Sequence, residues 1–179
     1  MTAGTMAFMP NRTIPGDRTR ASAGLVLAAT LAGAASLLGC GGGGNPAGGS
    51  GSIANQTLSG KIGGQPWTYA TGQTESFLSM DDKFFLTLYG EAFTTCEIGG
   101  APQGANEFII EIPKAPGAYD LSLNMNATFY DAATSKNWVV LSGRVDIESV
   151  TATTITGGMN VTLNAGNSIN GQFEAMICP

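Results

Sequence analysis

Leu141-Ser-Gly-Arg-Val145, Ile155-Thr-Gly-Gly-Met159 and Ile169-Asn-Gly-Gln-Phe173 repeat one pattern: apolar, small polar, Gly, any residue, apolar. Their glycines, Gly143, Gly157 and Gly171, are each fourteen residues apart. A strand and its turn take about 8–12 residues in compact all-β folds, so a spacing of fourteen predicts three long strands in a meander. Alternation supports this. Val139, Leu141, Gly143, Val145 and Ile147 fall on one face, and Ser142, Arg144, Asp146 and Glu148 on the other. Ile155, Gly157, Met159, Val161 and Leu163 repeat the arrangement, as do Ile169, Gly171, Phe173, Ala175 and Ile177. Side chains alternate across a strand, so each strand has one buried and one wetted face.

All three glycines lie on the apolar face. There they leave room for a bulky neighbour such as Trp67, Phe84 or Phe129, or for sharp strand bending. The alternative is a glycine-floored ligand pocket. Valine at Gly157 separates the two: it overpacks a core but merely fills a pocket.

Upstream, Lys83-Phe-Phe-Leu-Thr-Leu-Tyr89, Glu107-Phe-Ile-Ile-Glu-Ile112, Ala127-Thr-Phe-Tyr130 and Asn137-Trp-Val-Val-Leu141 are short and rich in β-formers. Turn residues separate them, as at Met80-Asp-Asp82, Gly99-Gly-Ala-Pro102 and Ala115-Pro-Gly117. No long stretch has a helical apolar period. The expected fold is all-β: an antiparallel β-sandwich or barrel-like domain of about eight to nine strands over residues 53–179.

Composition excludes several activities. The sequence holds no histidine, which removes Ser-His-Asp triads, Cys-His dyads, His-ligated zinc and His proton shuttles. With the commonest general base missing, composition weighs against an enzyme, and no residue is singled out as catalytic. Beyond Cys40 there are five bases, Lys61, Lys83, Lys114, Lys136 and Arg144, against twelve acids, a net charge of −7. Phosphate backbones repel such a surface, so nucleic acid is not an expected partner.

The first forty residues read as an export signal. Arg12, Arg18 and Arg20 form a basic stretch, an apolar Ala-rich run follows, and Leu37-Leu38-Gly39-Cys40 closes it. This resembles the lipobox of bacterial lipoproteins, with Leu38 departing from the small residue preferred at −2. The resemblance implies cleavage before Cys40, diacylglycerol on its thiol, and acylation of the new amine. The partition expected is a signal peptide at 1–39, the lipidated Cys and a Gly/Ser-rich tether at 40–52, and the β domain at 53–179. The tether's dozen residues would hold the domain about 20 Å from the lipid. The simpler reading is ordinary secretion or an uncleaved anchor, since nineteen apolar residues span roughly 28 Å. Met6 and Met9 are alternative starts. Gly41 rather than Asp follows the Cys, which by resemblance to the sorting rule implies the outer membrane, at its periplasmic face or the cell surface.

With Cys40 lipidated, Cys96 and Cys178 remain, and an exported domain meets oxidising conditions. A Cys96–Cys178 disulfide is expected. Other groupings read more plainly as structure. Asp120, Asn124, Asn126 and Asp131 lack calcium-loop spacing and suit turns, so no metal is expected. Asp81-Asp82 reads as a solvated turn before a strand. Trp67, in Pro66-Trp-Thr-Tyr69, reads as a core plug rather than a glycan platform.

The opening Leu58-Ser-Gly-Lys-Ile-Gly-Gly-Gln-Pro-Trp67 and the closing Ile169-Asn-Gly-Gln-Phe-Glu-Ala-Met-Ile-Cys178 resemble a class of uncharacterised bacterial lipoprotein domains. That resemblance implies an antiparallel sandwich or barrel-like fold and supplies no activity or cofactor. The expectation is an envelope lipoprotein, anchored to the membrane through Cys40. It would bind an envelope protein, a glycan or a small apolar ligand. A carboxylate-dependent hydrolase is the alternative, and paired carboxylates with one raised pKa in a concave site would mark it.

Overall fold

Eleven strands account for the regular structure of residues 51–179, the part of the chain that the computed structural model describes. The lipobox, Cys40 and the rest of segment 1–50 lie outside the described residues. In chain order the strands are β1 (Ser59–Ile62), β2 (Gln65–Thr68), β3 (Thr71–Thr74), β4 (Lys83–Tyr89), β5 (Glu107–Pro113), β6 (Gly117–Asp120), β7 (Ala127–Asp131), β8 (Lys136–Val140), β9 (Gly143–Val150), β10 (Thr154–Asn164) and β11 (Asn167–Met176). One sheet holds them all, in the order β6-β9-β10-β11-β3-β4-β5-β7-β8, with β1 pairing β11 and β2 to the side. It curls into a half-barrel. The fold is all-β and barrel-like, as the alternation predicts.

The strand count exceeds eight to nine because β1, β2, β3 and β6 have four residues each. Such short strands carry little periodic signal and persist because long neighbours pair them. The sheet is also not wholly antiparallel: β11 pairs β3 in parallel at Met176 and Gln73. β1 occupies the same edge of β11 nearer its start, through Ser59–Asn170 to Lys61–Ser168.

β9, β10 and β11 form the expected meander, with Gly157 opposite both Phe173 and Ile147. Its phase differs from the sequence reading in two places. Residues 137–147 are not one strand. β8 ends at Val140 beside β7, the chain crosses at Leu141-Ser142, and β9 begins beside β10. Val140 therefore faces the core, while Val139 and Leu141 are exposed. At Leu163 the β10–β11 register shifts, and this extra residue turns outward.

The inner face is a single apolar core. Phe108 and Phe129 meet edge to face with ring centroids 5.0 Å apart. Around them lie Leu58, Ile62, Leu86, Ile110, Ile155, Met159 and Ile169, all buried. Trp67 is a core plug, and its Nε1–H donates to the Asn106 carbonyl at 3.1 Å. It packs on Gly90, where a β-carbon would stand 2.9 Å from Nε1, and not on the meander glycines. The Asn106 side chain ties two turns together. Its Nδ2 donates to the Ile62 carbonyl at 3.2 Å, and its Oδ1 accepts from the Ala132 N–H at 2.9 Å.

The meander glycines serve close backbone approach. A β-carbon on Gly143 would stand 2.8 Å from the Asn160 carbonyl oxygen, and one on Gly157 would collide with the carbonyl oxygen of Asp146. The atoms that such β-carbons would meet are almost all backbone, and no bulky side chain occupies the space. Gly157 is also among the residues lining an open hollow of about 530 Å³, with Thr156, Gln172 and Glu174. Close backbone approach is the role present at all three, in place of the room for a bulky neighbour read from the sequence.

Candidate functional site

In β4 the burial alternates from Lys83 to Leu86 and then stops alternating: Leu86, Thr87, Leu88 and Tyr89 are all buried. In β3, Gly72, Gln73 and Thr74 are buried in succession. Both faces are covered here because the long loop between β4 and β5 folds back over the outside of the sheet. Phe93 packs edge to face on Tyr89, at 5.0 Å between centroids. A disulfide between Cys96 and Cys178, Cα atoms 5.2 Å apart, ties the loop to the strand end beyond β11. Two side chains of β3 fasten the same place. Gln73 Oε1 accepts the Cys96 N–H and Thr74 Oγ1 accepts the Cys178 N–H, each at 2.9 Å. Cys96 sits at φ 63°, a left-handed conformation that these anchors hold.

Beside this staple lies a groove of about 380 Å³. Its floor includes Gln73, Thr74 and the disulfide, and its sides are two turns. In the first turn, Leu78 N–H and Ser79 N–H both donate to the Glu75 carbonyl at 3.0 Å. The Ser79 hydroxyl donates to that carbonyl at 2.9 Å and accepts the Phe85 N–H at 3.0 Å. The second turn closes with Gly100 N–H on the Glu97 carbonyl at 3.0 Å. Phe77 projects from the first turn, 80% exposed, and Ile98 from the second, fully exposed. Leu78 and Met80 continue the exposed apolar surface. Large side chains held in water by well-bonded backbone contribute nothing to the core, and exposed apolar side chains around a groove make it a candidate contact site.

The groove is acidic. Glu75 and Glu97 line it, and no Lys or Arg does. Gln73 Nε2 donates to Glu75 Oε1 at 3.1 Å, which fixes that carboxylate. On the same sheet face, burial and then the charge of Glu75 raise the pKa of Glu107. Burial, then Glu107 and Glu75, pushes the Tyr89 phenol far up. Glu107 does not line the groove. The raised carboxylate is therefore not presented to whatever the groove holds.

The other residues singled out from sequence are structural. Asp131 is buried and caps its own turn, accepting from the Ala133 N–H at 3.1 Å and the Thr134 hydroxyl at 2.6 Å. Asp120 lies opposite Arg144 in the β6–β9 pairing, and Asn124 bonds locally to Ser122. Among the described residues no three His, Cys, Asp or Glu side chains gather in a way that would hold a metal ion. Asp81 and Asp82 are exposed in the turn before β4. Tyr69 is not free to serve as a glycan platform: its hydroxyl donates to the Glu174 carbonyl, and burial pushes its pKa up to about 12.

Phe77 and Ile98 are not evident in the sequence as site residues. The faint signal is an apolar residue inside a turn-forming run, in Glu75-Ser-Phe-Leu-Ser79 and in Glu97-Ile-Gly-Gly100. No protein-family model matches the chain, and neither curated proteins nor solved structures give a match.

Proposed function

We propose that this chain is a cell-envelope lipoprotein, tethered through lipid on Cys40 to the outer membrane. Its β domain is a non-catalytic binding module, and the disulfide-stapled groove is its contact site. The observation that carries the binding reading is the pair of hydrogen-bonded turns holding Phe77 and Ile98 out in solvent.

Three further features support the placement. Leu37-Leu38-Gly39-Cys40 supplies the lipidation signal, with Gly41 at the sorting position. A stabilising disulfide suits an oxidising compartment. The end of the tether also leaves the groove free. The Ser52 carbonyl accepts from Asn160 and Asn170, and the Ala54 N–H donates to Asn170, on the polar face of β10 and β11. Cys178 lies six residues beyond Gln172 along the extended chain, roughly 20 Å at ~3.3 Å per residue. A tethered domain would therefore hold its groove well away from the attachment point.

Two measurements test the proposal. Labelled palmitate should enter the wild type and not Cys40→Ser; equal labelling refutes the anchor. A photoreactive residue at position 77 or 98 should crosslink a discrete envelope partner in intact cells, and one at exposed Leu123 should not. Identical products from both positions refute the groove as the contact site.

A further inference from the structure

The chemistry of the groove narrows what it accepts, on the reading above that it is the contact site. Its rim offers Phe77 on one side and Ile98 on the other, and its lining carries Glu75 and Glu97 with no cation. The surroundings have the same sign. Across residues 71–106, Glu75, Asp81, Asp82, Glu91 and Glu97 face a single base, Lys83. That base is engaged elsewhere: Lys83 Nζ stands 3.8 Å from Glu111 and donates to the Asn124 carbonyl at 3.4 Å. A negatively charged ligand would meet carboxylates with no cation among the lining residues, and a neutral apolar one would desolvate them with no counter-charge, Glu75 keeping only the Gln73 amide.

We infer that the groove binds a basic amphipathic segment of a partner protein, with an apolar side chain between Phe77 and Ile98 and a Lys or Arg at Glu75 and Glu97. The dimensions agree. A groove of about 380 Å³ is near the small end of the ~300–1,000 Å³ typical of enclosed ligand sites, and two opposed turns leave it open for a chain to run through. The staple matters to the same end. Both turns are preorganised by hydrogen bonds and the disulfide, so little ordering remains to be done on binding.

The test uses three fluorescent ten-residue peptides, alternating Leu with Lys, with Gln or with Glu, titrated with the isolated full chain. The Lys peptide should bind at least about fivefold more tightly than the Gln peptide, and the Glu peptide more weakly still. Half-molar salt should remove most of the difference. Glu75→Gln with Glu97→Gln should bring the Lys peptide to the level of the Gln peptide. Phe77→Ser with Ile98→Ser should abolish binding; both side chains are exposed, so the fold is not at risk. If all three peptides bind equally and the Phe77/Ile98 variant loses them, the contact site stands and the charge inference falls. If that variant binds as the wild type does, or if no peptide binds, both fall.

Discussion

The carbonyl oxygen of Gln56 stands 2.6 Å from the point where a β-carbon on Gly171 would begin. The same oxygen accepts the Gln172 N–H at 2.7 Å, so it cannot retreat without breaking that bond. Gly171 also sits at φ 142°, where side chains are disfavoured. Gly171→Ala should therefore lower stability by about 1–3 kcal/mol or more. Gly157→Ala isolates the steric part, because Gly157 has no such φ and meets the Asp146 carbonyl directly. Thermal melts of the two variants check this. A Gly157→Ala domain that melts at or above the wild-type temperature would mean the neighbouring strand yields freely, and close approach is not why glycine stands there.

The Cys96–Cys178 bridge spans 82 residues, and loop closure over that length is worth roughly 4.5 kcal/mol. Cys96→Ser with Cys178→Ser should lose much of that. The loss should be local as well as global. The Cys96 and Cys178 amides, now bonded to Gln73 and Thr74, should lose protection against hydrogen exchange before the β4–β5 core does. The oxidised protein should gain two hydrogens in mass on reduction. Two thiols that alkylate without reductant would show the bridge to be absent.

How far the fold could be read from sequence depended on strand length and neighbours. β5 alternates without exception, and its period of two is complete in Glu107–Pro113. The meander was legible through the same period, but its phase failed where the chain changes partners. Val139 and Leu141 follow the pattern of Val145 and Ile147 in sequence, yet the crossing at Leu141-Ser142 exchanges the two faces. Counting cysteines was enough to name the disulfide. What it builds was not legible, since the groove depends on two turns, 75–79 and 96–100, meeting across the end of β3. An apolar residue in a turn is ordinary until tertiary structure shows that nothing covers it.

Asn106 offers a test of how the sheet's short strands are held. Its side chain accepts from the Ala132 N–H and donates to the Ile62 carbonyl, while its own carbonyl receives Trp67. Asn106→Ala keeps the Trp67 bond and leaves a donor and an acceptor unmatched in a half-buried place. About 2 kcal/mol of stability should be lost, from two bonds at about 1 kcal/mol each. Denaturant midpoints with an unchanged slope would report it. A midpoint equal to wild type would mean that water replaces both bonds and that Asn106 does not fasten β1 to the β7–β8 turn.

Glu107 makes stability depend on pH in a definite direction. Burial is the larger cause of its raised pKa and the charge of Glu75 the smaller, so the folded domain favours the protonated acid. A folded pKa above the unfolded value of about 4.5 means that the folded state holds the proton longer. Its stabilising effect is complete below the unfolded pKa and is lost as pH rises through the folded one. Above both, the ionised side chain stands half-buried near a second carboxylate and beside Tyr89, at a cost. Glu107→Gln keeps the shape and removes the charge. The variant should match the wild type near pH 4 and exceed it at pH 7, with the gap opening across the interval between. Glu75→Gln should open a smaller gap, because it removes only the lesser cause. Chemical denaturation of all three proteins at pH 4, 5, 6 and 7 measures this. A gap between Glu107→Gln and wild type that stays constant with pH would assign the effect to packing rather than to the carboxylate's charge.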